Sequence, residues 1–251
     1  MSGTGNAKDG RGRLGAMVSG LAVAVGCVLF LGGFAWAAVV YQPYTIPTDS
    51  MAPTVNPGDR VLAERIDGAD VRRGDVVVFT DEVWAATPMV KRVVGIGGDK
   101  VACCDKDGRL TVNGTPVDEP YVEQGTAAAG GKAPASSQEF SATVPKGKIF
   151  LLGDERATSL DSRVHLQDAG QGSVPLSAVQ ARVDAVAWPM DGMIDRPSSF
   201  AALPGGVSAA GPLPLQLGAI LVGVALILGG AVYGPVAARL GRRRAPAGGA
   251  R

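Results

Sequence analysis

The sequence is poor in the residues that build metal centres: its 251 positions include one histidine, His165, and three cysteines. A lone histidine and the adjacent pair Cys103 and Cys104 do not provide the spaced ligands of a tetrahedral zinc site. The glycine-rich stretch 95–98 matches neither the Walker nor the dinucleotide-binding pattern, and it predicts a turn after a strand. We therefore expect no metal, no nucleotide and no other cofactor.

An excess of one charge is also missing, because 24 Lys and Arg residues nearly balance 23 Asp and Glu residues. Residues 1–13 and 239–251 together contain eight basic groups and one acidic group, whereas residues 41–212 contain 16 basic and 22 acidic groups. The concentrated positive charge thus lies in two short basic tails, which disfavours a nucleic-acid-binding domain.

Charged residues are absent from two long runs, Leu14 to Thr48 and Pro197 to Ala238. Within them, the apolar stretches 14–40 and 213–238 exceed the roughly 20 residues that a helix needs to cross a bilayer core of about 30 Å. They predict two transmembrane helices. Because basic residues lie outside both stretches, the positive-inside rule predicts a multi-pass protein of the cell membrane with both termini in the cytoplasm and an extracytoplasmic middle.

Two alternatives concern these stretches. Ala35-Trp36-Ala37 has the small-x-small form of a signal-peptide cleavage site, but the apolar core of a signal peptide spans only about 7 to 15 residues, so an uncleaved anchor is favoured. Gly230 and Gly234 form a small-xxx-small pair that permits helix packing, although glycine is common in membrane spans.

The middle of the chain, residues 41–202, is long enough for one domain, followed by a linker at 203–212. Short runs rich in β-branched residues predict a mainly β fold, a β-rich domain between the two transmembrane helices. These runs are Val76–Phe79, Met89–Ile96, Leu110–Val112, Ile149–Leu152 and Val179–Trp188. Residues 123–138, rich in Ala, Gly and Ser, predict a mobile insertion.

Two local features of this domain leave alternatives. Asn113-Gly114 predicts a two-residue hairpin turn, and the turn explains the pair without the sugar that the sequon with Thr115 would accept. Cys103 and Cys104 lie in the predicted extracytoplasmic part, where disulfides persist. Neighbouring Cα atoms are about 3.8 Å apart, below the usual disulfide range of roughly 4.4 to 6.8 Å, so two thiols are favoured over a strained vicinal bond.

A candidate nucleophile follows the first apolar stretch in the segment Tyr44–Thr54. Prolines at 43, 47, 53 and 57 prevent a continuous helix, so Ser50 lies in a loop. A serine in a loop is usually only polar surface, and as a nucleophile it needs a base.

The segment Met89–Ile96 contains a candidate base, Lys91. If this segment is a strand, Lys91 is flanked by apolar side chains, and desolvation could lower the pKa of its ammonium group toward roughly 7 to 8. The alternative is an edge-strand lysine whose ammonium group reaches water.

A third polar segment, Gly153–Arg163, follows a predicted strand and by itself could be a solvated turn or a loop that binds a divalent metal. Together the three segments resemble bacterial type I signal peptidases, membrane-anchored Ser/Lys peptidases of family S26. Residues 46–54 resemble the serine box, 73–79 the following strand, 91–101 the lysine box, and 153–163, continued by 172–175, the Gly-Asp-Asn-Arg box. The resemblance covers about Tyr44 to Trp188.

The resemblance implies a role for each matching residue: nucleophile for Ser50, general base for Lys91, and oxyanion hole for Thr48 together with the Ser50 backbone N–H. It also implies three supporting residues, with Ser159 orienting the lysine and with Asp161 and Arg163 forming an ion pair that braces the site. The implied fold is a β-rich catalytic domain with a shallow apolar groove.

The implied activity is removal of signal peptides from exported preproteins, with cleavage after small residues at the first and third positions before the bond. Secreted preproteins and membrane lipid are the implied partners, with the protein-export channel as a further candidate. Three residues depart from the family pattern: Asp49 where Gly is frequent, Gly97 where Pro is common, and Glu155 where Asn is usual. Asp49 is expected to face outward.

Two other function classes remain open from the sequence. A Ser-His-Asp hydrolase would have to use His165, near Asp161, as its base. A membrane-anchored binding or scaffold protein could keep the family fold without activity, although the intact Ser50, Lys91 and Ser159 argue against it.

Overall fold

The computed structural model describes residues 9–122 and 133–243. Most of the two predicted basic tails, 1–13 and 239–251, and of the predicted insertion, 123–138, lies outside the described residues. Contacts within the chain define two units, one made of the two terminal segments up to residue 39 and from residue 212, and the other of residues 40–211.

The first unit contains two long helices, α1 (Asp9–Val40) and, at the end of the chain, α3 (Leu213–Arg243). By length and composition, their segments Gly15–Val40 and Leu213–Val236, each with a mean hydropathy of 2.3, can cross a membrane. The two helices pack antiparallel, since Ser19 Oγ donates a 2.6 Å hydrogen bond to the carbonyl of Gly230 and Gly26 faces Gly223. A Cβ on Gly26 would lie 2.8 Å from the Gly223 oxygen, so this close approach requires glycine.

The second unit is built from strands and short helices. In chain order the strands are β1 (Tyr41–Thr45), β2 (Arg60–Arg65), β3 (Val76–Asp81), β4 (Ala85–Ile96), β5 (Lys100–Cys103), β6 (Thr111–Val112), β7 (Thr115–Pro116), β8 (Phe140–Thr143), β9 (Lys148–Leu152), β10 (Val174–Pro175), β11 (Val179–Trp188) and β12 (Gly192–Met193). Short 3-10 helices cover Gly68–Asp70, Ser162–His165 and Leu176–Ala178, and α2 covers Ser198–Ala201. All strand pairs are antiparallel, and the prediction of a mainly β fold between two apolar helices is confirmed.

The strands form two sheets. The larger sheet has the order β1-β2-β11-β3-β4-β9-β10, with β12 added to β11, and the smaller has the order β7-β6-β5-β8. Strand β3 is central, and Val76 to Phe79 are all buried. Val76 and Val78 pack in one apolar cluster while Val77 and Phe79 pack in another, as the alternation of side chains along a strand requires when both faces are covered.

The strands predicted from β-branched runs are all present, with boundaries that differ by a few residues. Asn113 and Gly114 form the predicted turn between β6 and β7, with φ angles of 55° and 78° that suit a type I′ turn. The Asn113 side chain is also occupied: its Oδ1 accepts from the Lys100 N–H and its Nδ2 donates to Asp99. The expectation of two thiols at Cys103 and Cys104 is wrong, because the two residues form a vicinal disulfide at the end of β5.

Candidate active site

Ser50 and Lys91 meet although 41 positions separate them in the chain. Lys91 Nζ donates to Ser50 Oγ over 2.6 Å and to the carbonyl of its neighbour Val90 over 3.2 Å. Ser50 lies in the turn after β1, where the surrounding prolines exclude a helix. The distance is short enough for direct transfer of a proton between the two side chains.

Lys91 pairs with Val77 of β3, the central strand of the larger sheet. The alternative of a lysine whose ammonium group reaches water is wrong, because only 5% of the residue is exposed. Pairing with β9 begins at Arg92, opposite Leu152, so the chain after β9 runs past Lys91 as a loop. The register between β4 and β9 thus brings the third polar segment, Gly153–Arg163, next to Lys91.

The burial of Lys91 has an electrostatic consequence. Desolvation lowers the pKa of its ammonium group, while the carboxylates of Asp161 and Asp154 oppose the shift without cancelling it. The neutral amine is therefore more populated near neutral pH than in an exposed lysine. This is the property that a lysine needs to act as a general base.

Thr48 precedes Ser50 by two residues and is exposed, with its Oγ1 3.4 Å from Ser50 Oγ. Its hydroxyl therefore lies beside the candidate nucleophile. Asp49, between them, is exposed as expected.

The loop after β9 is held by Asp161 and Arg163. The Arg163 guanidinium donates to both Asp161 carboxylate oxygens, at 2.8 and 2.7 Å, and Asp161 Oδ2 also accepts from the Gly153 N–H at 3.0 Å. Arg163 further donates to the carbonyl of Arg156 at 2.8 Å. The pair thus closes the loop on itself, and Asp161 is fully buried.

Ser159 lies next to Ser50 at the point where Gly153 allows close packing. A Cβ on Gly153 would overlap both Ser159 Oγ and the Ser50 carbonyl oxygen. Ser159 Oγ is buried and has no hydrogen-bond partner among the described residues. The structure therefore brings Ser159 to the site but does not form the predicted hydrogen bond to Lys91, whose Nζ bonds instead to Ser50 and to the Val90 carbonyl.

Sequence reasoning missed two residues that support the site, Glu119 and Tyr121. Both lie in the chain between β7 and β8 of the smaller sheet. Both carboxylate oxygens of Glu119 accept from the buried Arg156 guanidinium, at 2.6 and 2.7 Å, and Arg156 Nε donates to the Gly153 carbonyl at 2.9 Å. Tyr121 donates to Glu119 at 2.6 Å, and its ring centroid lies 3.9 Å from the guanidinium carbon of Arg92.

A weak signal for these partners exists in the sequence. Arg92 follows Lys91 directly, and Arg156 lies in the predicted 153–163 segment. A buried guanidinium requires a counter-charge. Asp154, 62 positions from Arg92 in the sequence, is the partner of that arginine, at 2.9 and 2.7 Å. The partner of Arg156 is 37 positions away, and nothing in the sequence distinguishes Glu119 from the other carboxylates.

His165, the one histidine of the sequence, contacts residues other than Ser50. The His165 ring stacks on Trp84 with centroids 4.7 Å apart, and its Nδ1 lies 2.9 Å from Asp168 Oδ2. These contacts do not include Ser50. Among the described residues, no cluster of three or more His, Cys, Asp or Glu side chains could hold a metal ion.

Comparison with known proteins finds similarity to signal peptidases. Residues 17–188 match the family described as signal peptidase, peptidase S26. A signal peptidase I of Mycobacterium tuberculosis is 31% identical over 194 residues, which cover 60% of this chain and 66% of that protein. Signal peptidase IB of Staphylococcus aureus is 34% identical over 180 residues, which cover 67% of this chain and 86% of that protein. A crystal structure of a signal peptidase I from Enterococcus faecalis is 29% identical and covers 44% of this chain and 94% of that one, with a TM-score of 0.34.

Proposed function

Because the chain belongs to the signal peptidase family, peptidase S26, we propose that it is a membrane-anchored serine endopeptidase that removes signal peptides from exported preproteins by a Ser50/Lys91 dyad. The observation that carries the proposal is the 2.6 Å contact between Ser50 Oγ and the buried Lys91 Nζ. The chain spans 66% of the length of its Mycobacterium tuberculosis relative, and the activity of the whole protein is part of the proposal.

The proposed reaction begins when the neutral Lys91 amine takes the proton of Ser50 Oγ, which attacks the carbonyl carbon of the scissile peptide bond. The Ser50 N–H and the Thr48 hydroxyl donate to the oxyanion, where charge develops. The Lys91 ammonium then protonates the leaving nitrogen, the C–N bond breaks, and an acyl ester on Ser50 remains. Lys91 next takes a proton from a water molecule, whose oxygen attacks the ester carbon. The C–O bond to Ser50 Oγ then breaks, the Lys91 ammonium returns the proton to Ser50 Oγ, and the free carboxylate is released.

The proposed specificity for small residues is supported by the apolar cluster around Ser50. Ile46 and Met51, on either side of the nucleophile, are buried with Val55 and Val78, and Tyr44 and Val90 pack against them partly exposed. The partly exposed members, Tyr44 and Val90, offer apolar contact to a substrate bound beside Ser50, while the buried members support them from below. Small residues at the first and third positions before the cut fit a shallow groove of this kind.

The proposed location places the site near the outer face of the cell membrane. The two apolar helices support membrane anchoring, and the basic residues in the terminal sequences favour cytoplasmic termini and an extracytoplasmic domain. Membrane lipid, preproteins and, as a further candidate, the export channel are the proposed partners. Ser159, Asp161 and Arg163 are proposed to support the dyad.

The test is cleavage of a preprotein by the detergent-solubilised full chain. Ser50→Ala and Lys91→Ala are expected to abolish measurable processing, while the exposed Ser141→Ala and Lys100→Ala serve as matched controls and are expected to cut at the wild-type rate. An active Ser50→Ala variant would refute the dyad. A wild-type protein that binds preprotein without cutting it would instead favour the scaffold alternative.

A further inference from the structure

Glu155 is the residue of the third segment whose backbone forms hydrogen bonds to both Ser50 and Ser159. The Glu155 N–H donates to the Ser50 carbonyl over 3.2 Å, and the Glu155 carbonyl accepts from the Ser159 N–H over 3.2 Å. The second bond closes a single helical turn from 155 to 159. Any movement of this turn therefore displaces the peptide of the nucleophile and Ser159 together.

The Glu155 side chain closes the same turn from its first residue. Its Oε2 accepts from the Thr158 N–H over 2.6 Å and from the Thr158 hydroxyl. A side-chain acceptor that bonds to the N–H three residues further on is the arrangement of a helix N-cap, which satisfies a backbone donor left free in the first turn. The cap thus stabilises the conformation that the two backbone bonds require.

Glu155 is also held ionised. Partial burial opposes ionisation, but the hydrogen bonds from Thr158 and the positive charge of Arg163 outweigh it and keep the pKa of the carboxyl below its ordinary value. An ionised carboxylate is the stronger acceptor for the two Thr158 donors.

We infer that Glu155 is a positioning residue of the proposed peptidase: its carboxylate caps the 155–159 turn, and through this turn its backbone holds the Ser50 peptide and Ser159 in their places. This inference rests on the proposed function. It requires an acceptor at position 155 and does not require the full length of glutamate. Asparagine, a strong N-cap residue, can supply an acceptor to the same N–H. This accounts physically for the presence of Glu155 where the family usually has Asn.

The inference is tested with four variants of the full chain, Glu155→Ala, Glu155→Asn, Thr158→Val and, as an exposed control, Glu82→Ala. Cleavage of a signal-peptide-derived fluorogenic peptide gives kcat and KM separately. Because misplacement of reacting groups by about 1 Å can cost about 100-fold in rate, Glu155→Ala is expected to lower kcat by ~10- to 100-fold with an unchanged KM. Glu155→Asn is expected to return kcat to within ~3-fold of wild type.

Thr158→Val keeps the capped N–H and loses only the hydroxyl, so its kcat is expected to fall less than that of Glu155→Ala, and Glu82→Ala is expected to match wild type. Wild-type kcat in Glu155→Ala, or a loss in Glu155→Asn as large as in Glu155→Ala, would overturn the inference. A change confined to KM would do the same.

Amide hydrogen exchange separates this inference from the proposed function, because it needs no substrate. In Glu155→Ala the N–H groups of Thr158 and Ser159 are expected to exchange faster than in wild type, with restoration in Glu155→Asn. If the wild-type chain cleaves nothing while this exchange pattern holds, the proposed function fails and the capped turn stands. Unchanged exchange refutes the cap whatever the activity.

Discussion

Ser162 Oγ makes two hydrogen bonds, whereas Ser159 Oγ, three positions earlier and also buried, makes none with the described residues. Ser162 accepts from the Leu151 N–H at 2.9 Å and donates to the Gly172 carbonyl at 2.8 Å. The loop therefore contains one serine whose hydroxyl is hydrogen-bonded within the fold and one whose hydroxyl has no hydrogen bond among the described residues. A buried hydroxyl without a partner is costly, and such groups are often retained for activity.

Alanine variants of Ser162 and Ser159 should separate an effect on stability from an effect on turnover. Ser162→Ala is expected to lower the free energy of unfolding by about 1 to 3 kcal/mol, because two buried backbone groups lose their partner. Ser159→Ala is expected to leave stability unchanged within about 0.5 kcal/mol and to lower kcat by ~10-fold or more, as the proposed orienting role requires. Thermal unfolding and steady-state cleavage measure both. Equal effects of the two variants on both quantities would contradict this separation.

The rate of cleavage should depend on the titration of Lys91. Since its pKa is lowered by burial and the neutral amine is the base, kcat/KM is expected to rise with pH, with a midpoint below the ordinary lysine value of 10.5. The measurement is the pH profile of initial rates on a peptide substrate. His165→Ala serves as the control and is expected to leave the midpoint in place; a midpoint that disappears in this variant would identify histidine as the base instead.

Gly153 should tolerate no side chain. Gly153→Ala is expected to lower kcat by ~100-fold, because the added Cβ overlaps Ser159 Oγ and the Ser50 carbonyl oxygen. Gly98 offers the converse case, with a φ of +99° and open space where a Cβ would lie. Gly98→Ala is therefore expected to cost about 1 to 2 kcal/mol of stability and to leave kcat near wild type. Full activity in Gly153→Ala would show that the loop can move away from Ser50 at little cost.

The Glu119 carboxylate should be more important for stability than its neighbour in the chain. Glu119→Ala is expected to destabilise the domain by about 3 to 5 kcal/mol, because the Arg156 guanidinium stays buried without its partner. Asp118→Ala removes an adjacent but exposed carboxylate and is expected to change stability by less than about 0.5 kcal/mol. Denaturant unfolding of both variants compares the two, and similar midpoints would mean that Arg156 finds another counter-charge.

The sequence was most informative where a pattern is local. The two apolar stretches, the buried β3 run and the Asn113-Gly114 turn follow from hydropathy, β-branching and turn chemistry between near neighbours, and the structure has them. Strands such as β1 and β2 were not predicted, because their side chains alternate in burial without a continuous apolar run.

The site was predictable as separate pieces rather than as an arrangement. Motifs identify Ser50, Lys91 and the 153–163 loop one by one, but the meeting of the loop with Lys91 depends on the register between β4 and β9, in which Arg92 pairs with Leu152. The lack of a hydrogen-bond partner for Ser159 Oγ among the described residues and the Glu119–Arg156 pair likewise depend on tertiary packing. No local rule identifies a carboxylate 37 positions away as the partner of a given arginine.

The contact of Glu119 with Arg156 limits how far this protein can be simplified. Glu119 lies in the chain between β7 and β8 of the smaller sheet, whereas Arg156 belongs to the loop that carries Ser159. A version trimmed to the larger sheet, for example to obtain a more compact protein, would leave that arginine buried without the Glu119 carboxylate that pairs with it. The smaller sheet is thus an integral part of the scaffold around Ser50, and shortening the protein should start from its surface loops instead.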